Sequence, residues 1–132
     1  MIDLAHLQSI STTKTFKQSQ EIIKEDDFSS SMFILLKGKV GVYKNESKFQ
    51  GPLAVPKNVL VAELEPGDFF GEMSLFLSEP RKATVIAHED VVVLEINQAN
   101  SYEIIEKYPE VPYTIIKSLC LRISRLNKKL AR

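Results

Sequence analysis

From residue 14 to residue 96 the chain is cut into eight short β-like segments, at 14–18, 21–24, 32–37, 39–44, 59–65, 68–70, 82–88 and 91–96. They are short runs rich in β-branched and aromatic residues, separated by turn chemistry. Several turns have a specific cause. Gly38 and Gly41 bracket a tight hairpin, Pro66-Gly67 is a type II turn signal, and His88-Glu89-Asp90 is a polar connection between two apolar runs. Residues 45–58, with Gly51, Pro52 and Pro56, read as the longest loop and as a mobile surface excursion. Eight short strands with such punctuation predict a β-sandwich or barrel.

The flanks read differently. Leu4, Leu7 and Ile10 give a short apolar repeat compatible with one amphipathic N-terminal helix or with nothing ordered, and a short helix is the expectation. After Ile96 the pattern turns helical: Asn97 or Asn100 caps a helix through Lys107, Pro109 and Pro112 punctuate the chain, and a last helix runs from Tyr113 to the end. In that helix Ile116, Leu119, Ile123, Leu126 and Leu130 alternate spacings of three and four, an apolar seam suited to a parallel homodimer. The expected fold is therefore mainly β, an eight-stranded jelly-roll barrel over about 14–97. Short N-terminal and C-terminal helices flank it, the latter over about 98–132, in a single domain spanning 1–132.

Charge and composition narrow the function classes. The chain has 132 residues, room for one core. Lys plus Arg and Asp plus Glu are both 17, which removes a global attraction for nucleic acid or an anionic membrane. The basic residues Lys117, Arg122, Arg125, Lys128, Lys129 and Arg132 read as a solvated helix face, so nucleic acid is not an expected partner. One cysteine, Cys120, forms no intrachain disulfide and fits a reducing compartment; it reads as a small packed residue. His6 and His88 read as exposed, and two histidines cannot build a metal cluster. No apolar run is long enough to span a bilayer and the N-terminus lacks the features of a secretory signal, so a cytoplasmic protein is expected.

The chemistry concentrates between residues 66 and 85. A strand ends at Phe70, Gly71 lets the backbone turn or lie close to a ligand, and residues 72–77 make a short helix whose first N–H groups can meet an anion. Arg81, nine residues after Glu72, follows Pro80 where the next strand begins, and its guanidinium suits a phosphate. Glu72 accepts from a hydroxyl but repels phosphate, so a ligand satisfying both has an anionic end with a hydroxyl nearby. A ribose cyclic phosphate has that shape. The competing reading pairs Glu72 with Arg81 directly. Asp68 reads as a turn or capping residue rather than an acid catalyst, and the phenylalanines read as core, with Phe69 and Phe70 walling the pocket.

The run Gly71-Glu72-Met73-Ser74-Leu75 followed by Pro80-Arg81-Lys82-Ala83-Thr84 resembles the phosphate-binding cassette of cyclic-nucleotide-binding domains, found in kinase regulatory subunits, gated channels and catabolite activators. Residues 32–40 resemble the same family's first long hairpin. The resemblance implies a ligand site of Gly71, Glu72, Met73, Ser74, Arg81, Lys82 and Ala83. Glu72 would take the ribose 2′-hydroxyl, Arg81 the phosphate, and backbone N–H groups near Met73, Ser74 and Lys82 the remaining oxygens. It implies sensing without catalysis, no cofactor or metal, and a ligand that is cyclic AMP or cyclic GMP. Lys82, in place of the threonine frequent in guanine-selective members, argues for cyclic AMP. The alternatives are a ligand-free assembly module of the same fold, or the sensor part of a truncated transcription regulator. The sequence departs from the family near Ser19 and Asp26, where glycines are usual.

Overall fold

The computed structural model describes residues 9, 12–47 and 56–130. In chain order the strands are β1 (Thr12–Phe16), β2 (Glu21–Ile23), β3 (Met32–Lys37), β4 (Val40–Ser47), β5 (Pro56–Leu64) and β6 (Phe69–Phe70). Helix α1 (Glu72–Leu77) follows, then β7 (Thr84–Ala87), β8 (Val91–Ile96), α2 (Gln98–Lys107) and α3 (Glu110–Leu130). The strands form two four-stranded antiparallel sheets, ordered β1-β8-β3-β6 and β2-β7-β4-β5. The expected eight-stranded, mainly β architecture with C-terminal helices is what the chain forms. The expected N-terminal helix on Leu4, Leu7 and Ile10 lies outside the described residues.

Two apolar clusters explain why β3 and β8 are almost continuously hydrophobic, since successive side chains alternate faces and both faces are covered. Phe33 and Leu35 of β3, Val91 and Val93 of β8 and Phe70 of β6 meet Ile23, Val40, Val85 and Ala87 inside the barrel. Met32, Leu94, Ile96 and Phe69 point the other way, onto Leu75 of α1, Ile104 of α2, Tyr108, and Val111 and Ile115 of α3. The helices are thus fastened to the first sheet, and α3 projects from it.

Three expectations need correction. The stretch 45–58 is not all loop: Asn45 pairs with Asn58 and Ser47 with Pro56, so β4 and β5 continue as a long hairpin whose tip, 48–55, lies outside the described residues. Gly41 does not bracket a turn but sits within β4, where a Cβ would overlap the His88 ring; the glycine makes room for that side chain. The last helix starts at Glu110 rather than Tyr113, because Pro112 falls in the first turn, where its missing N–H has no intrahelical partner to lose. Elsewhere the turn chemistry holds. Asp68 N donates to Glu65 O across Pro66-Gly67 at 3.0 Å with Gly67 at φ 96°, and Asn97 and Asn100 cap α2 reciprocally.

Candidate functional site

Between the second sheet, α1 and α3 lies a cavity of about 550 Å³. All seven residues expected at the site, Gly71, Glu72, Met73, Ser74, Arg81, Lys82 and Ala83, line it, together with Phe69 and Phe70. The barrel contributes an apolar floor of Ile23, Val42, Ala62, Leu64 and Val85, and α3 contributes Ser118, Leu121, Arg122 and Arg125.

Local backbone geometry sets the polar groups. Gly71 caps α1 at φ 81°, and a Cβ there would stand 2.7 Å from Arg81 Nη1 and 3.0 Å from Ser31 O. No other residue allows both the left-handed turn and that close approach. Leu75 anchors α1 in the core, which buries Glu72 and Ser74 on the same short helix and leaves Met73 half exposed. Ser78, also left-handed, ends the helix with its N–H donating to Ser74 O at 3.1 Å.

Arg81 is 3% exposed. Its Nε donates to Ser29 Oγ at 3.0 Å, its Nη1 donates to Gly71 O at 3.1 Å, and its guanidinium lies 5.9 Å from the centre of the Phe33 ring. Burial pulls its pKa below the ordinary arginine value, while the charges of Glu95 and Asp27 pull the other way. The backbone is held too: Arg81 N donates to Asp27 O at 2.8 Å, and Asp26 N donates to Arg81 O at 2.9 Å. Lys82 turns outward to Glu79 at 3.3 Å.

Glu72 does not pair with Arg81. Its Oε1 accepts from Arg122 Nη1 of α3 at 2.8 Å, and the Arg122 guanidinium lies 5.4 Å from the centre of the Phe69 ring. Asp68 is the turn residue expected, accepting from Glu65 N at 2.9 Å. His88 is only partly exposed, against expectation, because Tyr43 Oη and Glu63 Oε2 hold its two ring nitrogens at 2.7 and 2.8 Å. His6 lies outside the described residues. Cys120 is exposed rather than packed, since it lies off the face of α3 that carries Ser118, Leu121, Arg122 and Arg125 over the cavity. Among the described residues no group of three or more His, Cys, Asp or Glu is placed to hold a metal, and no helix is long and apolar enough to cross a membrane.

Sequence reasoning missed most of the roof. Ser118, Leu121, Arg122 and Arg125 follow the spacing of one helical face, a signal present in the sequence but eclipsed by the apolar seam beside it. Arg122 reaches the cavity, whereas Asn127, further along the same helix, is not among its lining residues. The arrangement suits a compact anion with a hydroxyl near its charge. Among the described residues no carboxylate contacts the buried cation Arg81 directly, the buried carboxylate of Glu72 lines the same cavity, and apolar walls extend beyond them.

The profile of the cyclic nucleotide-binding domain family matches residues 13–108. A cGMP-dependent protein kinase of Plasmodium berghei (strain Anka) is 36% identical over 76 residues, covering 58% of this chain and 8% of the kinase. A cAMP-dependent protein kinase regulatory subunit of Mucor circinelloides f. lusitanicus is 36% identical over 73 residues, covering 55% of this chain and 15% of the subunit. The solved catabolite activator protein of Thermus thermophilus shares the fold, with a TM-score of 0.76 at 23% identity over 96% of this chain and 56% of that one. The chain spans less than a third of the length of the curated relatives it matches. Profile, curated relatives and fold agree: the chain belongs to the cyclic nucleotide-binding domain family.

Proposed function

We propose that residues 1–132 act as one sensor domain in the cytoplasm, binding cyclic AMP in preference to cyclic GMP and performing no catalysis. The observation that carries the reading is Arg81, a buried guanidinium whose direct partners are a hydroxyl and a carbonyl rather than a carboxylate. It is a cation awaiting an anion. The cyclic phosphate occupies that seat, with backbone N–H groups near Met73, Ser74 and Lys82 on its other oxygens. Glu72 takes the ribose 2′-hydroxyl, and the base lies against the apolar floor.

A carboxylate accepts several hydrogen bonds. Glu72 therefore receives the ribose hydroxyl while keeping Arg122, and the nucleotide becomes linked to α3 through a single side chain. That link supports a sensor role: a ligand favouring one seating of α3 shifts the population of helix positions. The exposed seam on α3 is the output surface, joining two copies as a parallel dimer.

The preference for cyclic AMP rests on Lys82, which faces solvent and Glu79 and offers the guanine amino group no acceptor. Calorimetric titration with both nucleotides tests it. Cyclic AMP is expected to bind more tightly, and Lys82→Thr to move the ratio toward cyclic GMP. Tighter binding of cyclic GMP by the wild type contradicts the preference.

A further inference from the structure

Arg81 is held by a segment distant from the cassette in sequence. Residues 24–31, between β2 and β3, grip it on both backbone and side chain: Asp27 O and Asp26 N bond its main chain, and Ser29 Oγ takes its Nε–H at 3.0 Å. The other fixed end is Nη1, on Gly71 O at 3.1 Å. Ser31 O presses against the same glycine, where a Cβ would meet it at 3.0 Å.

Resting on the functional reading above, we propose that Ser29 is a positioning residue for phosphate recognition. A guanidinium is planar, with its N–H donors in a rigid fork. Bonds at Nε and Nη1 fix the orientation of that plane, and the remaining N–H groups of Nη1 and Nη2 are left to meet two phosphate oxygens side by side. Ser29 is also neutral. Its hydroxyl fixes direction without compensating the charge that draws the ligand. The residue is exposed, so trimming it to alanine opens no void in the core and lets water approach Nε. What is lost is the orientation.

The probe is cyclic AMP, titrated calorimetrically into the wild type, Ser29→Ala, Ser29→Thr, Arg81→Lys and the double variant Ser29→Ala/Arg81→Lys. Ser29→Ala is expected to weaken binding about tenfold, the size of one lost hydrogen bond to a charged group. Ser29→Thr, which keeps the hydroxyl, is expected to remain within about threefold of wild type. Lysine has no Nε–H for Ser29 to hold, so in the Arg81→Lys background the alanine change should add less than about twofold, a coupling that a merely structural role would not show. Unchanged binding in Ser29→Ala overturns the assignment. So does a threonine variant as weak as alanine, or an equal loss in the lysine background. A wild type that takes up neither cyclic AMP nor cyclic GMP overturns the functional reading and the assignment together, whereas normal wild-type binding with any of the other failures overturns the assignment alone.

Discussion

Single side chains carry the strongest claims. Glu72, Arg81 and the glycine before them are legible in the sequence because their context is local: a strand end, a tight turn, a short helix and a proline lie within a few residues of one another. The partners of these groups are not legible, because they come from afar. Arg122 reaches Glu72 across fifty positions and Ser29 reaches Arg81 across fifty-two. Ser19 and Asp26, where the family resemblance led to an expectation of glycine, show the same limit in another form. Both residues adopt left-handed backbone, φ 75° and 74°, and are held there by Ser19 N on Ala87 O at 2.7 Å and Asp26 N on Arg81 O at 2.9 Å. The turns survive, and the side chains bear strain of about 1 kcal/mol each. Ser19→Gly, remote from the cavity, is expected to raise stability by about 0.5–1 kcal/mol. A thermal melt checks it, and a lowered melting temperature contradicts it.

At the level of elements, the strands and their order of appearance follow from apolar runs and turn residues, with ends displaced by up to a few residues. The hairpin of β4 and β5 is the exception. Its outer half is polar and proline-bounded and reads as loop, yet cross-strand pairing continues from Val40 opposite Leu64 to Ser47 opposite Pro56. Helix α3 has the opposite difficulty, one sequence serving three surfaces. Val111 and Ile115 pack on the barrel, Ser118, Leu121, Arg122 and Arg125 roof the cavity, and Leu119 is only partly covered. Ile116, Ile123, Leu126 and Leu130 remain 59%, 56%, 58% and 81% exposed, an apolar face that a second α3 would cover. The basic residues of the same helix oppose close approach of two copies, and salt screens them over about 8–10 Å. Sedimentation is therefore expected to show a dimer that strengthens with salt and dissociates in Ile123→Asp/Leu126→Asp. A monomeric wild type at high protein concentration and moderate salt rules the dimer out, and a dimer indifferent to the double substitution places its interface elsewhere.

For the whole molecule, the fold organises a charge problem. The barrel buries a cation, and burial lowers the pKa of Arg81 from its ordinary value. The folded state then holds that proton less readily than the unfolded chain, so at every pH below the arginine range the empty fold bears the cost of a buried charge. An anion that binds only the folded state offsets it and raises the melting temperature. Architecture and cassette were legible in the sequence as a strand pattern and a local motif. The cavity itself was not, because its floor and roof come from β2, β4, β5, β7 and α3, brought together only by the tertiary fold. The most direct test is calorimetric titration of the wild type and Arg81→Ala with cyclic AMP, with the non-cyclic 5′-monophosphate as control. Saturable binding of the cyclic nucleotide is expected, weaker or absent for the control, and weakened about a hundredfold or more by the alanine substitution, equivalent to roughly 3 kcal/mol. Equal affinity in wild type and Arg81→Ala, or no binding by the wild type, would contradict the account.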